Sequence, residues 1–191
     1  MNSYPEYAEV NGKKYKINTD FRSAIKCNQI ATDETIGDFE RALGVIYTLF
    51  GDEGINTPSD YEKLLKIAKK YLSCGKDLDE TSDKPDMDFT QDYSYIKTSF
   101  RSDFGIKLDE EQMHWWEFMD LMNGLSNSEL GNCCILNRIR NLRNFDTKDI
   151  KDPKELERIL KAKEQVALKK DVKLTKEQEE SVEKFLKEIG L

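Results

Sequence analysis

Residues 36–50 read IGDFERALGVIYTLF and are followed by Gly51. Ile36, Phe39, Leu43, Ile46, Tyr47 and Phe50 recur at the 3.6-residue period of one helix face, so this stretch is predicted to be an amphipathic helix that buries the stripe. Gly51 is placed to stop it, since glycine reaches the left-handed conformation in which helices commonly end. The next segment repeats the grammar. Thr57-Pro58 offers a cap and a first-turn proline, Tyr61, Leu64, Leu65, Ala68, Tyr71 and Leu72 form a second stripe, and Gly75 lies just past its end. Two successive helical stripes joined by a short turn predict a helical fold.

On the N-terminal side, Asp20 is placed to cap a helix that turns Phe21, Ala24 and Ile25 inward. Before it, Tyr7-Ala8-Glu9-Val10 and Tyr15-Lys16-Ile17 flank Asn11-Gly12, whose tolerance of positive φ suits a tight hairpin. A lone two-stranded ribbon is marginal in water, so this one has to lean on the helices.

On the C-terminal side, Asp77, Asp79, Glu80, Asp83, Asp86 and Asp88 mark a solvated acidic loop. Its Asp77, Asp79, Thr81, Asp83 spacing only faintly matches a calcium loop, because Ser82 stands at the turn that wants glycine and Asp88 replaces the final Glu. A helix from about Thr90 to Phe104 follows, with Tyr93, Ile96 and Phe100 on one stripe. Asp109 and Gln112 resemble a capping box ahead of Met113, Trp115, Trp116, Phe118, Met119, Leu121 and Met122, a run apolar on more than one face. Ser126 and Glu129 form a second such start, leading into Leu130, Cys133, Ile135, Ile139 and Leu142, and Gly124 separates the two helices. Asp152-Pro153 opens a charged helix with Leu156, Ile159, Leu160 and Ala167, and Thr175 with Gln178 opens a last one bearing Val182, Phe185, Leu186 and Ile189. Residues 146–191 hold 12 basic and 12 acidic side chains, so their apolar stripe is thin.

The composition narrows the function classes. Charged residues make up 35% of the 191, and the formal charge is -7, with 30 Lys and Arg against 37 Asp and Glu. A nucleic-acid coat needs surplus positive charge, so nucleic acid is not the expected partner. Arg138, Arg140 and Arg143 are spread around their helix and are expected to solubilise it or make local ion pairs. The longest uncharged apolar stretch, Ala42 to Phe50, falls short of the roughly 18 residues that span a bilayer, and the first residues lack a secretory signal's basic start and apolar core. A soluble protein of a reducing compartment is expected. Cys27, Cys74, Cys133 and Cys134 show no metal-ligand spacing and are read as buried thiols rather than zinc ligands. His114, the one histidine, sits in an apolar helix and is read as a hydrogen-bonded structural residue rather than a base. No phosphate-cradling glycine loop is present. Neither a catalytic residue nor a metal or cofactor is expected.

Phe89-Thr-Gln-Asp92, Tyr95-Ile96, Phe100, Phe104-Gly-Ile106 and Leu108, followed by Met113-His-Trp-Trp116, Phe118, Leu121 and Gly124-Leu125, together resemble the bacteriophage gene-product-fifteen family of tailed phages and prophages of Gram-positive bacteria. Weaker similarity lies at Asp20-Phe21-Arg22, Phe50-Gly51 and Cys74-Gly75-Lys76. The resemblance spans roughly Phe21 to Ala167, and its core runs from Asp88 to Leu125. It implies a protein of the tail gene cluster, typically encoded just ahead of the tape-measure protein, a position often held by tail assembly chaperones that coat that protein until tail-tube subunits displace them. The family offers no catalytic residues to carry over.

The sequence therefore predicts a mainly α protein with an N-terminal β-hairpin at 1–18, a compact helical core of about five to six helices at 19–145, and a charged helical C-terminal extension at 146–191. The resemblance implies a non-enzymatic tail assembly chaperone in the host cytoplasm, or alternatively a structural component of the tail or head–tail junction kept in the virion. The implied partners are the tape-measure protein and the tail-tube protein, with self-association a further option. The partner surface is placed on the edge of the Trp115/Trp116 helix, at Trp115, Met119 and Met122 beside Met113, with Trp116 and Phe118 read as core. Trp115 is expected to be replaceable by Ser in a folded domain. Phe185 and Ile189 of the last helix form a second candidate surface.

Overall fold

The computed structural model describes residues 4–76, 85–127 and 133–169. Strands β1 (Tyr7–Val10) and β2 (Lys13–Lys16) pair antiparallel, with Ala8 opposite Tyr15. Asn11 and Gly12 turn the ribbon at φ of 52° and 77°, the positive values that a two-residue turn of this twist needs. Ala8, Val10, Tyr15 and Ile17 are buried, so the hairpin joins the core. A polar clasp fixes its seat. The Tyr15 hydroxyl and the Asn11 amide donate to the two oxygens of buried Asp60 at 2.7 and 2.8 Å. The Tyr15 hydroxyl above all lowers the Asp60 carboxyl below its ordinary value, and Asn11 and Ser59 add to it.

Six helices follow before the charged segment: α1 (Phe21–Thr32), α2 (Asp38–Ile55), α3 (Tyr61–Leu72), α4 (Tyr93–Phe104), α5 (Trp115–Asn123) and α6 (Ile135–Asn144). The seventh, α7 (Pro153–Val166), lies inside the charged segment and buries none of its residues. The mainly α architecture with a small N-terminal hairpin is the predicted one. Local chemistry explains several boundaries. Asp20 accepts from the Arg22 N–H at 2.8 Å and Asp152 from the Lys154 N–H at 2.9 Å, each capping the helix it precedes. Gly105, at φ 73°, ends α4.

Other boundaries correct the expectations. Gly51 breaks α2 with φ 62° and ψ -155°, yet helical hydrogen bonding resumes to Ile55. Pro58–Asp60 form a 3-10 turn before α3, and the Thr57 side chain does not cap it. The box at Asp109 and Gln112 is not the start of α5. Asp109 instead accepts from the Tyr93 hydroxyl at 2.9 Å and Lys97 Nζ at 3.0 Å, and α5 begins at His114. The helix expected from Ser126 begins at Cys134, whose Sγ accepts from the Asn137 N–H, and its buried residues are Leu136 and Asn137 rather than Ile135 and Ile139. Glu129, most of the acidic loop and the last predicted helix with Phe185 and Ile189 lie outside the described residues.

The core centres on Phe118, which is fully buried and stacks against Phe21 at 4.7 Å, Phe100 at 5.1 Å and Trp115 at 5.7 Å. Burying one such ring removes 150–250 Å² of surface from water, and three near-parallel partners add a directional contribution. Two backbone bonds hold the start of α1 against the start of α5: Phe21 N–H to Met113 C=O at 3.0 Å and Trp115 N–H to Thr19 C=O at 2.8 Å.

Candidate interaction surface

The α5 edge is less open than its composition suggests. Trp115 is 1% exposed, and its indole N–H donates to Leu72 C=O at 3.0 Å, while that of Trp116 donates to Tyr71 C=O at 2.9 Å. The Trp115 indole thus satisfies the carbonyl of the last residue of α3, while the Tyr71 carbonyl also accepts from the Cys74 N–H at 3.0 Å. The assignment of Trp115 to a partner surface is corrected: its ring is committed to the core, and Trp116, read as core, is the half-buried member of the pair. Replacing Trp115 by Ser would remove a buried ring and a cap of α3, so the expectation of an intact domain is withdrawn. Met119 and Met122 are half-buried and pack on the core cluster.

His114 is the joint between α5 and the N-terminal segment leading into the hairpin. Its Nδ1 accepts from the Trp116 N–H at 3.0 Å, capping α5, and its Nε2 lies 3.1 Å from Pro5 C=O. A backbone N–H only donates and a carbonyl only accepts, so this geometry is that of the Nε2–H tautomer. The Tyr4 ring stacks on His114 at 4.9 Å and meets the edge of Trp116, and its hydroxyl donates to Asp120 at 2.8 Å. That carboxylate raises the Tyr4 phenol above its ordinary value. The chain's own residues 4 and 5 therefore cover α5 at His114, Trp116 and Asp120.

The stripe on α2 shows the opposite outcome. Ile46, Leu49 and Phe50 are buried, but Phe39 and Tyr47 are exposed, by 64% and 57%, with half-buried Leu43 between them, and Ile36, expected on the same helix, is exposed in the bend ahead of Gly37, whose extended backbone starts α2 at Asp38. The physical reason lies in where α1 docks. Ile30 of α1 lies so close to Gly44 that a Cβ there would come within 2.9 Å of it, and Cys27 Sγ approaches Val45 C=O at 3.9 Å. Helix α1 thus takes the adjacent face and leaves the first half of the stripe uncovered. Arg41 tightens this corner, donating to Asp33 C=O at 2.7 Å and Ile36 C=O at 2.8 Å and pairing with Asp38. Beyond Tyr47 the surface opens into a groove of about 600 Å³ that includes Lys16, Lys26 and Asp52.

The arginines of α6 divide their roles. Arg143, with a side chain 10% exposed, makes a bidentate pair with Asp92, 1% exposed, both contacts at 2.7 Å, and also donates to Asp86 C=O and Val166 C=O. It ties α6 to the start of α4 and the end of α7. Arg140 pairs with Asp86 at 3.1 Å, and Arg138 is exposed. The ion-pair reading holds for two of the three. The Asp92–Arg143 pair escaped sequence reasoning because its members lie 51 residues apart.

The thiols of Cys27 and Cys74 are pushed up to about 12 and about 11, chiefly by burial, and Cys133 is raised for the same reason. Cys134 is buried, and all four cysteines are free. Among the described residues no group of three or more His, Cys, Asp and Glu side chains is arranged to hold a metal ion, and no helix is long and apolar enough to cross a membrane.

The family model described as Bacteriophage Gp15 protein matches residues 2–168, so the match takes in the hairpin, the six helices and α7 and stops short of the last predicted helix. No curated protein and no solved structure gives a significant match. A match over this much of the chain assigns its family: the protein belongs to the bacteriophage Gp15 family, among the structural and morphogenetic proteins of phage.

Proposed function

We propose that this protein is a non-enzymatic tail assembly chaperone that covers the tape-measure protein in the host cytoplasm until the tail-tube protein replaces it. The observation that carries this reading is the pair of exposed rings on α2, Phe39 and Tyr47, with exposed Ile36 in the bend just ahead of the helix, in a phage-family protein. A folded domain does not need such a pair for its own stability, whereas a protein that shields apolar helices does. The coordination of His114 supports the non-enzymatic part. Both ring nitrogens are engaged by backbone groups, which leaves neither to act as a base.

Coexpression tests the reading. The tape-measure protein encoded beside this chain should accumulate in the soluble fraction when the chain is present and aggregate when it is omitted. Mass spectrometry of purified virions should find none of the chain. Equal solubility with and without it would refute the chaperone role, and stoichiometric recovery from virions would favour the structural alternative.

A further inference from the structure

We propose that the ridge formed by Phe39, Leu43 and Tyr47 on α2, with Ile36 in the bend just ahead of it, is the docking surface for a cationic amphipathic helix of the partner protein. The proposal rests on the chaperone reading for the partner's identity, but its geometry and charge are independent of it. Phe39, Leu43 and Tyr47 follow one another at intervals of four residues, which places them along one flank of α2 over about 12 Å, a little more than two helical turns, and Ile36 stands in the bend just ahead of the helix. At 64% and 57% exposure, Phe39 and Tyr47 each leave roughly 100–150 Å² of ring surface in water. With Ile36 added, the patch approaches about 300 Å², the size at which a monomer's largest apolar patch is often functional. The interface it would make is below the roughly 1,200 Å² of stable complexes, which suits a contact that must be released.

The charge around the ridge selects the occupant. Asp33, Asp38 and Glu40 stand at its N-terminal end, and Asp52 and Glu53 lie past its C-terminal end. The cations nearby are Arg41, which already pairs with Asp38 and two carbonyls, and Lys16 and Lys26 in the groove beyond Tyr47. Five carboxylates against three cations give a net negative rim on a chain whose charge is already -7. A second copy would bring the same rim against itself, so like charges oppose self-docking. A helix with an apolar stripe flanked by Lys or Arg would meet opposite charge at the rim and aromatic surface at the centre.

The test uses the full chain and two synthetic 18-residue helical peptides, each with Leu at i, i+3, i+4 and i+7, one flanked by Lys and one by Glu, read by fluorescence anisotropy. The Lys-flanked peptide should bind, the Glu-flanked peptide should not, and raising salt should weaken binding. The double variant Phe39→Ser/Tyr47→Ser should weaken it at least tenfold with an unchanged circular dichroism spectrum. If that variant fails to fold, Glu40→Lys/Glu53→Lys leaves the ridge intact and should likewise weaken the Lys-flanked peptide. The proposal is overturned if the Lys-flanked peptide does not bind, if it binds the ridge variants as tightly as the parent, or if the Glu-flanked peptide binds equally well. It is also overturned if sedimentation shows a dimer that the ridge variant dissolves, or if binding requires removal of residues 170–191. The wild-type coexpression experiment does not alter α2, so the chaperone reading and the docking site can fail separately.

Discussion

Helices α5 and α2 both carry aromatic rings at helical spacing, and the surroundings give those rings opposite tasks. On α5, Phe118 is stacked among Phe21, Phe100 and Trp115, and Trp115 also caps the end of α3. On α2, Phe39 and Tyr47 project into water from a helix whose other face is firmly packed. What differs is the presence of a neighbour. Helix α5 is crossed by α1 and by the N-terminal residues, while α1 meets α2 on the face beside the ridge, through Ile30 and Gly44. Equal apolar character therefore stabilises the fold in one place and leaves a surface for association in the other.

That contrast can be broken by substitution. Phe118→Ala should cost about 3–5 kcal/mol in urea denaturation, because it removes a fully buried ring from a stack that cannot collapse around the space. A cost below about 1 kcal/mol would mean that α5 is not the centre of the core. Arg143→Met should cost about 3 kcal/mol by the same measurement, since it leaves the Asp92 carboxylate buried without its bidentate partner. His114→Ala should cost about 1 kcal/mol through loss of the α5 cap, and His114→Asn should recover part of it because Asn caps well. Tyr71→Phe should change stability in the favourable direction by up to about 1 kcal/mol, because the buried Tyr71 hydroxyl finds no hydrogen-bond partner among the described residues. The smallest effect belongs to the ridge: Phe39→Ser and Tyr47→Ser should each leave the unfolding free energy from urea denaturation within about 0.5 kcal/mol of the parent.

The sequence discloses what local chemistry decides. Asn11-Gly12 marks the hairpin, Asp20 and Asp152 mark helix starts, and the stripe of residues 36–50 marks a helix, because each depends on neighbours a few residues away. It does not disclose which helix face receives a neighbour. Periodicity groups Phe39 and Tyr47 with Ile46 and Phe50, but only tertiary packing separates the exposed pair from the buried one. The same limit turned Trp115 into a surface candidate, although its placement against Phe118 and Leu72 makes it core. His114 as a cap was hidden for another reason: histidine is not among the residues that usually begin helices, and Asp109 with Gln112 offered a more familiar signal nearby. Of the candidate surface, Met119 and Met122 lie half-buried on α5, and Phe185 and Ile189 lie outside the described residues.

The central claim, that the α2 ridge serves association rather than folding, is tested most directly by the soluble yield of the tape-measure protein coexpressed with the Phe39→Ser/Tyr47→Ser chain. The account predicts that the yield falls well below that obtained with the unaltered chain, while the variant itself accumulates as a folded protein in equal amount. A yield equal to that of the unaltered chain would contradict it.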